Sequence, residues 1–286
     1  MQKAIFILLI LSFVSCKKDT GNKQHITSSL IVTQSNSLVN PKGKTIRTRF
    51  NTPEGFIRLQ PAKGSFQQYL QNFNLKPHEA KVHLYNQHLK SRQDVHDAVL
   101  DISVGNRDLQ QCADATIRLR AEYLYKEKLF DDIHFNFTNG FKATYGKWRQ
   151  GKRIKVTGNK VTWYDGGQKG DSRKSFQKYL TMVFSYAGTL SLEKEMQKIT
   201  LQELQIGDVF IQGGSPGHAV IVVDMAKNKE GEVIFLLAQS YMPAQEIHVL
   251  KNFNNRQISP WYSAKNLSVL DTPEWRFTKN NLRRFP

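Results

Sequence analysis

The chain has 286 residues and a formal net charge of +17, from 41 Lys and Arg against 24 Asp and Glu. Aromatic residues make up 11% of it, enough to bury a large core, and its 2 cysteines exclude a multi-disulfide framework. The charge favours anionic partners such as lipid headgroups, lipopolysaccharide or acidic glycans; with no nucleic-acid-binding motif, phosphate-binding glycine loop or repeat beside it, nucleic acid is not an expected partner.

The N-terminus reads as an export signal. Met-Gln-Lys precedes an almost wholly apolar run from Ala4 to Val14. That run falls short of the ~20 apolar residues that span a bilayer. Phe13-Val14-Ser15-Cys16 resembles a bacterial lipobox. The resemblance implies cleavage before Cys16 and acylation of its thiol and amine. Residues 1–15 are thus expected to be a lipoprotein signal peptide. Residues 16–44, polar and poor in aromatics, are expected to be a flexible tether. Residues 45–286 are expected to be a single α+β domain. The lipid at Cys16 would hold it to a bacterial membrane in the cell envelope, with the outer membrane the expected one.

Within that domain, residues 47–60 carry Pro53 and Gly55 and read as an entry strand and loop. Residues 65–73 place Phe66, Tyr69, Leu70 and Phe73 on one face of a short helix. Residues 81–85 and 95–104 are strand candidates. A strong helix follows over residues 112–129, where Asp108 as N-cap and Gln111 would form a capping box. Residues 130–172 are glycine-rich and irregular, and are expected to be an inserted subdomain of short strands. Residues 172–186 read as a second long helix with Phe176, Tyr179, Leu180, Val183 and Phe184 as its apolar stripe. Strands are expected at 208–212, 218–223 and 232–239, separated by Gly213-Gly214-Ser215-Pro216-Gly217 and by the polar turn 226–231. They form an antiparallel meander, and the tail around Pro260-Trp261-Tyr262 and Trp275 closes the sheet.

With Cys16 carrying lipid, Cys112 is the one cysteine left. A lone thiol at a helix start suits a nucleophile, because the helix dipole and unpaired amides favour the thiolate. His218, opening the middle strand of the meander, is the candidate base. A simple hairpin count pairs residues whose numbers sum to about 456. That sets His218 opposite Ala238 and beside Gln239, the candidate orienter of the imidazole, with Ser240 as substitute. The Cys112 amide and the side chain of Gln110 or Asn106 are candidate oxyanion donors. His83, His88 and His96 lack metal-site spacing, so neither metal nor cofactor is expected. Asp114 is expected to face solvent or an arginine. The basic run 149–155 reads as a solvated strand.

Leu201-Gln202-Glu203-Leu204-Gln205-Ile206-Gly207-Asp208-Val209-Phe210-Ile211, followed by Gly217-His218-Ala219-Val220-Ile221-Val222, resembles the core of papain-like cell-wall endopeptidases of the NlpC type. The resemblance implies an antiparallel sheet packed against the helix that bears the cysteine, with Cys112, His218 and Gln239 as catalytic residues. It departs from that family in its long stretch 129–198 and in Gln-Gln-Cys-Ala-Asp around the nucleophile. As a whole the chain also resembles a family of Bacteroidota envelope lipoproteins, in Gln111-Cys112-Ala113-Asp114, Arg118-Leu119-Arg120-Ala121-Glu122-Tyr123 and Ser259-Pro260-Trp261-Tyr262. The expectation is a lipid-anchored cysteine hydrolase of amide or peptide bonds, with peptidoglycan or another anionic envelope polymer as partner. The alternatives are an envelope lipoprotein that binds glycan or peptide without catalysis, and a structural partner in an outer-membrane complex.

Overall fold

A computed structural model describes residues 37–286, and these belong to one compact unit. The signal peptide, Cys16 and most of the expected tether lie outside the described residues. Residues 37–44 are part of the folded unit: Val39 and Phe50 form a β-bridge, and the Asn40 N–H donates to Arg49 O. The domain therefore starts before residue 45.

The architecture is α+β. Its main sheet is antiparallel, in the order His96–Val99, His248–Leu250, Val233–Gln239, His218–Lys227, Val209–Gln212, Leu282–Arg284, Gln197–Lys198. Ile57–Arg58 pairs with the last residues of His218–Lys227, and Tyr262–Ser263 with the first residues of Val233–Gln239. The central strands are apolar on both faces, from Val220 to Val223 and from Phe235 to Ala238. They are covered on one side by the helix Cys112–Lys126.

That helix begins at Cys112, but its cap is Gln111, extended at φ −88° and ψ −161°. Asp114, three residues on, accepts from the Gln111 backbone N–H at 3.1 Å. Asp108 does not cap; its Oδ1 accepts from the Gln111 side chain and from the Ala244 N–H, tying the helix entry to the loop after the meander. The helix ends at Lys126 because Lys128 turns left-handed at φ 58°. The second long helix, Arg173–Tyr186, is capped by Ser172 and buries Phe176, Tyr179, Leu180 and Val183.

Residues 130–172 contribute nothing to the main sheet. They form two hairpins, His134–Asn136 with Lys142–Thr144 and Lys152–Thr157 with Lys160–Asp165, and the short helix Tyr145–Arg149 between them. This layer is held by aromatic packing: Tyr145 lies 5.1 Å from Tyr179 and 5.3 Å from Phe176 between ring centroids. Residues 81–85 make only isolated bridges, since the chain reverses at Gln87 with φ 68°. Residues 276–278 pair with Val269–Asp271 as a separate ribbon, while Leu282–Arg284 joins the main sheet.

Trp261 is fully buried and its indole N–H donates to Asn51 O at 2.9 Å, joining the tail to the N-terminal segment. Trp261→Ala should remove about 3–5 kcal/mol of stability, read as a lower urea midpoint with an unchanged slope. A midpoint within error of the wild type would show that this junction does not hold the fold.

Candidate functional site

Cys112 sits at the first helical position, 6% exposed, with its Sγ 3.9 Å from the carbonyl oxygen of Gly217, the residue before His218. Sγ and the His218 ring are not hydrogen-bonded to each other. A cleft of about 360 Å³ opens over the thiol, lined by Gln111, Asp114, Thr189, Gly217 and Met242 among others. Gly217 has no room for a side chain: a Cβ there would lie 2.4 Å from Thr189 Oγ1 and 2.7 Å from Gly214 O.

His218 is 1% exposed, in a cage of Tyr241, Trp275 and Phe277 with ring centroids 4.8, 5.2 and 5.9 Å away. Its Nε2 is 2.8 Å from Gln239 Oε1. An amide oxygen only accepts, so Nε2 carries the proton and the Nδ1 lone pair is left open. The orientation of Gln239 is set independently. Its Nε2 donates to Glu274 Oε2 at 2.7 Å and lies 3.5 Å from His248 Nε2. His248 in turn donates from Nδ1 to Glu246 O at 2.9 Å, which makes its Nε2 an acceptor. Glu274 also receives Lys90 Nζ at 2.6 Å, in an ion pair whose side chains are 6% and 9% exposed.

The structure thus brings His218 and Gln239 into direct contact. The contact does not arise by the hairpin count. The turn closes with Lys227 opposite Val233, and a bulge follows Leu236, so Ala238 faces Ile221 rather than His218. Gln239 pairs with His248 in the backbone ladder and reaches His218 through its side chain. Ser240 Oγ instead ties Gln110 O to Gln245 O. Gln110 and Asn106 line a neighbouring cavity and not the cleft over Cys112, where the flanking side chain is Gln111. Asp114 is neither exposed nor paired with arginine; it is buried, lines the cleft, and its carboxyl is pushed well above the usual range by burial. Glu274, Lys90 and His248 carry no local sequence signal. They converge from loops and from the strand His248–Leu250, with Lys90 and Glu274 184 residues apart.

Burial governs the protonation states. It pushes the Cys112 thiol from 9.0 up to about 11, with the Asp114 carboxylate adding to the effect. That rise corresponds to roughly 3 kcal/mol, more than the 0.3–1 kcal/mol a helix N-terminus typically returns. The expected thiolate at a helix start is therefore not met. Burial also lowers His218 to about 4, against its hydrogen bond to Gln239 and with help from the Lys90 charge. At neutral pH the pair is thiol and neutral imidazole. Among the described residues no cluster of three or more His, Cys, Asp and Glu could hold a metal ion.

The chain matches the family described as domain of unknown function 4846 (DUF4846) over residues 46–284. It belongs to that family. No curated protein and no solved structure matches it.

His248 is fully buried and lowered to about 3 by desolvation. Unfolded, it binds its proton near pH 6.5, so its contribution to stability is complete above that pH and is lost as pH falls toward 3. Buried Asp224, raised to about 6 by desolvation, works in the opposite sense. The difference between wild type and His248→Gln isolates the histidine. At pH 7 the variant should be the less stable, and by pH 4.5 the gap should shrink by about 2–3 kcal/mol in urea unfolding. A gap that stays constant would mean that His248 is not held neutral.

Proposed function

We propose that this chain is a lipid-anchored cysteine hydrolase of the cell envelope, acting on an amide or peptide bond. The observation that carries the reading is the Glu274–Gln239–His218 chain. It fixes the proton of the neutral imidazole on Nε2, which leaves Nδ1 as the base for the Cys112 thiol. We place the finer fold with the NlpC-type papain-like endopeptidases, and the source with envelope lipoproteins of Bacteroidota. The strand-opening histidine after a Leu-x-x-Gly-Asp-type segment and the helix-opening cysteine support that placement.

The chemistry is a general-base attack rather than one by a preformed thiolate. As Sγ adds to the substrate carbonyl carbon, its proton passes to His218 Nδ1. The resulting oxyanion meets the Cys112 backbone N–H, one of the unpaired amides of the first helical turn. The Gln111 carboxamide is the side chain placed to add a second donor, its other N–H being held by Asp108. Collapse expels the amine, which takes the proton from His218, and leaves a thioester on Cys112. Nδ1 then draws a proton from water; the hydroxide oxygen attacks the thioester, and the acid leaves as the thiol is restored. Gln239 keeps the proton of Nε2 in place throughout, and Glu274 keeps Gln239 from rotating. The substrate class, a peptide crosslink of the cell wall or another anionic polymer, follows from the resemblance and from the +17 charge.

One observation favours the second reading, a lipoprotein that binds glycan or peptide on the same scaffold without catalysis: the thiol is buried and held protonated. Turnover of peptidoglycan fragments separates the two. Cys112→Ser should fold with a melting temperature near that of the wild type and lose hydrolysis by roughly 10³-fold or more. His218→Ala, less stable because it empties a buried cage and leaves Gln239 Oε1 unpaired, should lose hydrolysis as fully in its folded fraction. In the wild type, kcat/KM should rise through about pH 4, where His218 loses its proton, and stay flat to pH 9. Hydrolysis that survives Cys112→Ser would end the cysteine-hydrolase reading, and binding without turnover would establish the second one.

The anchor is tested separately. Mass spectrometry of membrane-extracted protein should find Cys16 as the N-terminal residue, carrying acyl chains on sulfur and nitrogen. An unmodified Cys16, or cleavage at another bond, would remove the membrane from this account.

A further inference from the structure

Beside the cleft over Cys112 lies a cavity of about 250 Å³, and the two share Leu109 and Phe184 as a common wall. Its polar lining is that of a donor site. Arg107 is exposed at its rim, and Arg118 lies in its wall at 9% exposure. Arg118 Nε donates to Glu122 at 2.6 Å and its Nη1 to Gln110 Oε1 at 3.2 Å. Glu122 is shared with the exposed Arg173, so the Arg118–Glu122–Arg173 triad keeps one positive charge, and Arg107 adds another. No acidic side chain lines the cavity.

Gln110 is the group that asks for a ligand. It is 1% exposed, and its Nε2 is buried with no hydrogen-bond partner. The amide cannot be turned to relieve this. Rotation would put its N–H groups against the Arg118 guanidinium, which has only donors to offer. A buried donor left unpaired is a standing penalty that an acceptor from outside removes. An acceptor flanked by Arg107 and Arg118 is best when it carries negative charge and a planar pair of oxygens. The remaining wall, Leu180 and Phe184, is apolar and suits the carbon chain that leads away from such a group.

We propose that this cavity is a subsite that binds a carboxylate of the substrate while the scissile amide lies over Cys112. The proposal rests on the cysteine-hydrolase reading and gives it a substrate class: peptides bearing a free carboxylate on one side of the bond that is cut. It also assigns Gln110 to substrate binding, where the sequence had made it a donor for the oxyanion.

Binding can be measured without turnover, on full-length mature protein carrying Cys112→Ala. The probes are acetyl-Ala-Ala with a free C-terminal carboxylate, acetyl-Glu-amide with its carboxylate on the side chain, and acetyl-Ala-Ala-amide with none. One of the acids should bind about tenfold or more tighter than the neutral amide, by calorimetry or NMR titration. Which acid it is names the source of the carboxylate. The preference should vanish in Arg107→Ala, whose side chain is exposed and whose loss does not threaten the fold, and fall in Gln110→Leu. It should persist in Arg256→Ala, a control for overall charge on a distant exposed residue. Equal binding of acids and amide, or a loss in Arg256→Ala as large as in Arg107→Ala, would overturn the subsite. Neither result touches the thiol chemistry: the preference surviving in an enzyme with no Cys112-dependent turnover would count against the hydrolase reading and not against the subsite.

Discussion

The site depends on one carboxamide. Gln239 is completely buried, and each of its hydrogen-bonding directions is taken: Oε1 by His218, Nε2 by Glu274 and by the ring of His248. A buried amide in which every donor and acceptor is committed has a single orientation, because rotating it would set donors against donors and an oxygen against a carboxylate. That orientation fixes which nitrogen of His218 is protonated. The buried Lys90–Glu274 pair is what makes it secure, by supplying a carboxylate whose own charge is neutralised. Buried ion pairs of this kind contribute little net stability, but removing one partner leaves a charge without compensation at about 3–5 kcal/mol. The pair's role here is to impose one arrangement on the groups above it.

The same burial that orders these groups decides their protonation. Cys112 and His218 are both nearly sealed from water, and each pays most to become charged. A neutral pair results, poised for proton transfer only when a substrate carbonyl arrives to accept the sulfur's electrons. The cleft is formed largely by backbone and small groups, with Gly217 excluded from carrying a side chain by Thr189 and Gly214. The positions of Thr189 and Phe184 link it to the insertion layer: the helix Arg173–Tyr186 that supports the insertion also walls the cleft. Residues 130–172 therefore reach the site through packing against that helix rather than by adding residues to it.

Much of this arrangement is legible in the chain because it is local. A helix opening on Cys112, a strand opening on His218 and a strand ending on Gln239 each announce themselves through periodicity and punctuation. The meander that joins the last two is a single hairpin. What fails to show is whatever depends on distant segments. The hairpin register shifts because the turn is centred later and a bulge follows Leu236, features with no mark in the apolar pattern. Glu274 lies in a tail segment that reads only as aromatic, and Lys90 in a loop, so their meeting under Gln239 is a property of the folded state alone. The thiol's protonation misleads for the same reason. A helix start can be read from residues, but the loss of water around it cannot. The charge of Asp114 suggests solvent or an arginine as its neighbour, whereas the capping of Gln111 draws it inward.

The central claim is that His218 is held as the neutral tautomer with its proton on Nε2 and a free Nδ1, by Gln239 acting under Glu274. Nitrogen-15 NMR of the histidine side chains, followed from pH 8 to pH 4 in wild type and in Glu274→Gln, tests this directly. The account predicts that His218 in the wild type is neutral and Nε2-protonated over the whole range down to about pH 4. It also predicts that Glu274→Gln, which frees the Gln239 carboxamide to rotate and leaves the Lys90 charge uncompensated, populates the other tautomer without raising the pH at which the ring takes up its proton. A wild-type His218 protonated on Nδ1, or carrying both protons at neutral pH, would contradict it.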